Sequence, residues 1–195
     1  MPSRSLTLHA DAVQLLARWT APNAQQEALR RSFAAALAAS NAAIHRDGPA
    51  EHLTVGVLVL DDTGEHVLLT HHRKADAWFQ FGGHLEPSDC TVRAAAAREL
   101  AEESGISGLA VSAEPCQLSR HDLPEVFGHC RAHLDVRYWA QAPAGAIPTV
   151  SDESLDVRWF PVTALPPGAA ADVGPLITAA QAAQRRGDGI AGTRG

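Results

Sequence analysis

Apolar positions along this chain follow two rhythms, and the change comes near residue 50. Before it they recur at helical spacing. "LHADAVQLLARW" puts Leu8, Val13, Leu15, Leu16 and Trp19 in a helix-compatible spread. "NAQQEALRRSFAAALAAS" repeats Leu29, Phe33 and Leu37 at steps of four, with Asn23 placed to cap the start. "HRDGPAEH" breaks the pattern with Gly48 and Pro49. From Leu53 the rhythm is that of strands: "LTVGVLVLDDTGEHVLLTHHR" predicts two of them around the turn Asp61-Asp62-Thr63-Gly64. A glycine-containing loop, "WFQFGGHLEPSD", leads into an alanine-rich helix over about 91–104, which Gly105 should end in the left-handed conformation. Further strands are expected at 109–119, 131–140 and 155–161, and a last helix over about 172–186.

Strands and helices mix without a regular βαβ alternation, so the fold class is α+β. Three parts are expected: a helical extension over 1–50, a main domain over 51–186, and a mobile glycine-rich tail over 187–195, "GDGIAGTRG". The extension reads first as a helical hairpin packed on the main domain. A dimerisation arm and a substrate lid are the alternatives.

Composition narrows the partners. A length of 195 residues with 46% apolar and 19% charged side chains suits one domain with an appendage. The net charge of −6 argues against a nucleic-acid partner, which would want a basic surface. It leaves room for a small phosphorylated substrate, because a metal can supply local positive charge. Cys90, Cys116 and Cys130 form no CxxC pair, so reduced thiols are expected. The first residues lack a secretory apolar core with a cleavage site, and the apolar run "LTVGVLVL" falls short of the roughly 20 residues of a membrane helix. A cytoplasmic protein without a membrane partner is the expectation.

The stretch "RELAEESG" is an electrostatic oddity. Glu99, Glu102 and Glu103 share one helical face, where like charges cost roughly 0.2–0.5 kcal/mol per pair. A bound cation would offset that repulsion. Hard divalent ions such as Mg²⁺ prefer oxygen ligands and keep several waters. Gly82 and Gly83, just upstream, let backbone approach a metal or phosphate closely. An exposed acidic helix side would explain the glutamates but not the preceding glycines, Arg98 and the terminal Gly-Ile together.

From Gly83 to Ile106 the segment resembles the Nudix box, G-x5-E-x7-R-E-U-x-E-E-x-G-U, where U is aliphatic. Arg98 to Ile106 match its second half at every specified position. Two departures lie upstream: the first acidic position is Asp89 instead of Glu, and eight residues separate it from Arg98 instead of seven. The segment looks like a "GGHxEPxD" subgroup with that longer spacing. Either Asp89 or Glu86 is then available to pair with Arg98.

The resemblance implies a Nudix-type α/β/α sandwich with a mixed sheet, and hydrolysis of a diphosphate linkage in a nucleoside diphosphate derivative. It implies Mg²⁺ or Mn²⁺ as cofactor. Glu102 and Glu103 become the principal metal ligands, and Glu99 a further ligand or the base. Gly83 would give its carbonyl, and Arg98 would orient Glu99. In "SDESLDVRWF", Glu153 precedes a strand carrying Trp159, as a late loop acid does in this family, with Asp152 as the neighbouring alternative. Homodimers are frequent among relatives. Two other readings use the same fold: a sensor that binds a nucleotide without cleaving it, and a prenyl-diphosphate isomerase. The isomerase would call for a catalytic cysteine and a differently built metal site.

Substrate contacts are less sharply marked. "HLDVRYW" alternates His133, Asp135, Arg137 and Trp139 to one face, which offers His133 and Arg137 to phosphates. "HHRKADAWFQF" offers His72, Arg73 and Lys74 for phosphates, and Trp78 and Phe79 for a stacked base or a hydrophobic wall. Ten histidines and the spacing of "HCRAH", His129 to His133, raise a zinc site, with His121 nearby. A closed zinc site wants four ligands, and no second pair stands near in the chain, so zinc is not expected.

Overall fold

A computed structural model of the chain describes residues 4–123, 129–143, 145–152 and 154–187. The elements in order are α1 (Arg4–Arg18), α2 (Ala24–Ala39), a 3-10 turn (Asn41–Ile44), β1 (Glu51–Leu60), β2 (His66–His72), β3 (Ala77–Phe79), β4 (Phe81–His84), α3 (Val92–Ser104), β5 (Gln117–Asp122), β6 (Ala132–Gln141), β7 (Ser154–Pro161) and α4 (Val173–Arg186). The hydrogen-bonded strand order is β3-β2-β1-β6-β5, with β4 also on β1 and β7 also on β2.

By contacts the chain divides into two units. The first takes residues up to Val55, Gly83–Ala95 and Gln117–Arg137. Here α1 buries Leu8, Ala12, Leu15, Leu16 and Trp19, while Val13 stays 41% exposed, outside the stripe expected to include it. Asn23 caps α2 as expected, its side chain accepting the N–H of Gln26. α2 packs on α1 and on β5. Gln26, buried on α2, faces the backbone of Leu118: its Nε2 donates to the Leu118 carbonyl at 2.9 Å and its Oε1 accepts the Leu118 N–H at 2.7 Å. The side-chain amide so stands in for the next strand beyond β5. β5 and β6 pair antiparallel from Gln117↔Arg137 to Asp122↔Ala132. The start of α3 is capped twice, by Thr91 Oγ1 for the N–H of Ala94 and by the Asp11 carboxylate of α1 for that of Val92.

The second unit takes Gly56–Gly82, Ala96–Cys116 and the chain from Tyr138 onward. β1 and β2 form the expected hairpin, with Val59 opposite Leu68. Asp61 closes its turn by accepting the N–H groups of Glu65 and His66. β7 lies antiparallel along β2 from His66↔Pro161 to His72↔Ser154. α4 presents Val173, Leu176, Ile177, Ala180 and Ala183, one helical stripe, to Leu58, Leu60, Val67 and Leu69. Gly187 ends α4 at φ 69°, its N–H on the carbonyls of Ala183 and Gln184. The rest of the expected tail, residues 188–195, lies outside the described residues.

Two expectations change. The segment read as a loop, "WFQFGGHLEPSD", contributes two short strands, because β3 pairs with β2 and β4 with β1. The strand expected over 109–119 is mostly irregular. Val111 makes a single bridge to Ala140, and regular pairing begins only at Gln117.

Candidate functional site

The glutamates sit on the C-terminal half of α3, in the second unit. The helix ends because Gly105 turns left-handed at φ 66°, as its place in the sequence predicts. A Cβ there would stand 2.5 Å from that of Thr149, and the Thr149 N–H binds the Ser104 carbonyl at 2.8 Å. Ser104, buried, bonds back to the Leu100 carbonyl and accepts the N–H of Ile106.

On that helix end Arg98 bridges two carboxylates. Its Nη1 donates to Glu99 at 3.0 Å and to Glu102 at 3.1 Å. The side chain of Glu99 is 14% exposed and that of Glu102 59%. Glu103 is buried and accepts the backbone N–H of Gly82 at 2.8 Å. Gly82 holds φ 149°, a conformation L side chains rarely adopt, at the point where backbone meets carboxylate. Gly83 follows it in the chain. Three carboxylates gather here around the Arg98 guanidinium, partly sheltered and open at Glu102. That donor set fits a hard divalent cation that keeps some of its waters.

Arg73, exposed, donates to the carbonyls of Asp152 and Ser154 at 3.3 and 3.0 Å. Those two residues flank Glu153 in the sequence, the loop acid expected above. Glu153 itself lies outside the described residues. Trp78, offered to a stacking base, is buried at 9% exposure in the core. Its ring stacks on His71 at 4.9 Å and meets Phe160 edge-on. In this position the ring forms part of a hydrophobic wall.

Asp89, His133 and Arg137 belong to the first unit. Asp89 is buried and accepts the N–H of Glu86 at 2.8 Å, which tightens the loop before α3. Arg137 is 1% exposed, with Nε on the Asp135 carboxylate at 2.7 Å and Nη1 on Gln117. Strand alternation did identify its face, but that face points inward. The charge of Arg137 is met by Asp135 within the unit, in place of the open phosphate-facing position expected of it. His133 also turns inward, to a cluster that the sequence announced only in part.

That cluster gathers His52 of β1, His84 at the end of β4, Cys130, and His133 of β6. Ring centroids lie 5.2 Å apart for His52 and His84, 5.5 Å for His52 and His133, and 4.9 Å for His84 and His133. Burial, then the neighbouring His52 and Arg46, hold His84 down at about 4. Burial, then His84, His121 and His52, hold His133 down at about 3 against the pull of Asp135. The "HCRAH" spacing points to two of the four residues. His52 and His84 carried no signal, because only the pairing of strands brings them there.

The model of the NUDIX domain family matches residues 50–181. No curated protein matches the chain. Among solved structures, a NUDIX-family hydrolase from Clostridium perfringens superposes with a TM-score of 0.54 at 22% identity, covering 69% of this chain and 97% of that one. A C. elegans Ap4A hydrolase, solved as a binary complex, gives 0.55 at 18% identity, covering 69% and 98%. The NUDIX domain of Shewanella oneidensis NrtR, complexed with ADP ribose, gives 0.51 at 21%, covering 69% and 86%. At these identities the likeness is one of fold: a mixed α+β architecture, here preceded by α1 and α2.

Proposed function

The chain belongs to the Nudix hydrolase superfamily, and on that premise we propose that it hydrolyses a diphosphate linkage in a nucleoside diphosphate derivative, with Mg²⁺ or Mn²⁺ as cofactor. The observation that carries this reading is the sheltered acidic face of α3, where Arg98 joins Glu99 to Glu102 and the Gly82 N–H fixes Glu103.

In this reading Glu102 and Glu103 would hold the metal, with Glu99 as a further ligand or the base. The metal, when bound, neutralises phosphate oxygens and lowers the pKa of a water. The protein's own groups do the rest. Arg98 holds Glu99 and Glu102 in fixed directions, so that ordering them at each turnover is unnecessary. The Gly82 N–H selects one rotamer of Glu103. A carboxylate, Glu99 or Glu153 with Asp152 as neighbour, accepts the proton of the attacking water. Arg73 steadies the loop that carries the latter pair, while staying exposed enough to meet a phosphate. The ADP ribose and Ap4A named for structural neighbours are natural first compounds to test.

The test is a panel of diphosphate compounds with Mg²⁺ or Mn²⁺, scored by product identity. Wild-type protein should cleave at least one of them. Glu102→Gln and Glu103→Gln should each lose more than about 100-fold in kcat, as removal of transition-state charge stabilisation does. Tight binding of a compound without cleavage would favour a sensor instead. Undiminished activity in both variants would refute the metal-site assignment.

A further inference from the structure

His52, His84, Cys130 and His133 converge from four places in the chain, His52 and Cys130 being 78 residues apart. Each offers one ligating atom, and these four atoms all lie within 4.8 Å of one another. A tetrahedral ion with bonds of about 2.0–2.1 Å to nitrogen and 2.3 Å to sulfur spaces its donors about 3.3–3.6 Å apart. Cys130 Sγ and His52 Nε2 already stand at 3.8 Å. Closing the others needs movements on the order of an ångström, within reach of side-chain torsions.

The tautomer of His52 is fixed by its neighbour. Its Nδ1 lies 2.9 Å from the Pro49 carbonyl oxygen. A carbonyl only accepts, so Nδ1 carries the proton and Nε2 turns its lone pair toward Cys130. Metal-binding imidazoles are held in this way, with the far N–H on a carbonyl. His133 adds a second observation: its Nε2 is buried and has no hydrogen-bond partner among the described residues. A buried polar atom left so calls for an explanation, and an ion gives the ring an electron-pair acceptor. A packed histidine cluster without metal would leave that nitrogen idle and give the thiol no purpose beside three imidazoles.

We propose that His52, His84, Cys130 and His133 bind one Zn²⁺ as a closed, structural site. Three nitrogens and one sulfur suit zinc, whereas Mg²⁺ and Mn²⁺ seek oxygen. All four positions are filled by the protein, so no place remains for a reacting water. This zinc is a different ion, on different donors, from the one assigned to the glutamates, and the proposal does not depend on the hydrolase reading. Its effect is to tie β1, β4 and β6 at one point of the first unit.

The full chain, purified without chelator from zinc-supplemented medium, should carry about one zinc per molecule, in line with one four-ligand site. After zinc removal, Co²⁺ should give the intense visible bands of four-coordinate cobalt and a near-ultraviolet thiolate-to-cobalt charge-transfer band. One equivalent of Zn²⁺ should abolish both. Cys130→Ser should lose the charge-transfer band and weaken zinc binding by more than about tenfold. Glu103→Gln should keep both the spectrum and the stoichiometry. Should Cys130→Ser fail to fold, the cobalt spectrum of the wild-type chain decides alone. Zinc well below one per chain together with a pale six-coordinate cobalt spectrum overturns the site. So does a charge-transfer band that survives in folded Cys130→Ser.

Discussion

Gly105 bears two demands at once. Its φ of 66° costs an L side chain about 1–2 kcal/mol, and its missing Cβ leaves the space that Thr149 fills 2.5 Å away. Thr149 cannot simply retreat, since its N–H is bonded to Ser104. Gly105→Ala should therefore lower stability by about 2–3 kcal/mol in urea unfolding, and a loss below about 0.5 kcal/mol would contradict this account. At this scale the sequence was most legible where residue type and spacing are set by chemistry. Arg98, the three glutamates and Gly105 could be read because the last turns of one helix and the cap after it carry them all. Arg137 could not: alternation shows which residues share a face, and it does not say whether a charge on that face meets solvent or a buried Asp135. His52 and His84 were illegible for a different reason, being joined by strand pairing alone.

Among the elements, hairpins and helices emerged from pattern, and short strands did not. β3 and β4 have three and four residues, too few to show a period, and they are strands because longer neighbours hydrogen-bond to them. The β1–β2 hairpin is the opposite case, with its turn written in residue types. Asp61 takes the backbone N–H groups of Glu65 and His66, the Thr63 hydroxyl and the His66 ring. Partial burial alone would raise its pKa, but those donors outweigh it and the net shift is below 3.8. A carboxylate held below its unfolded value stabilises the fold above that value. The contribution is lost as pH falls through 3.8 toward the folded pKa, because the unfolded chain takes the proton first. Asp61→Asn should thus be destabilising at pH 7, with the deficit shrinking as the pH approaches 3. Urea midpoints of both proteins across that range check it, and a deficit constant with pH would contradict it.

For the whole molecule, the ends of the strand order matter as much as its centre. In the second unit Trp78 of the edge strand β3 exchanges hydrogen bonds with the segment 168–170. In the first unit the edge strand β5 meets Gln26 at Leu118. Exposed strand edges invite pairing with other chains, and both edges are covered at these positions. Gln26→Leu would leave the Leu118 N–H and carbonyl without that partner. It should cost about 2–4 kcal/mol and promote concentration-dependent association, seen by light scattering. A stable, monodisperse variant would show the amide to be dispensable.

The same amide also gives the protein a way to age. Hydrolysis of the Gln26 side chain to a carboxylate changes its mass by about one dalton and its shape hardly at all. Yet it would set an oxygen against the Leu118 carbonyl where an N–H had been, and bury a negative charge at a position only 8% exposed. A lesion nearly invisible to packing would thus unfasten α2 from β5.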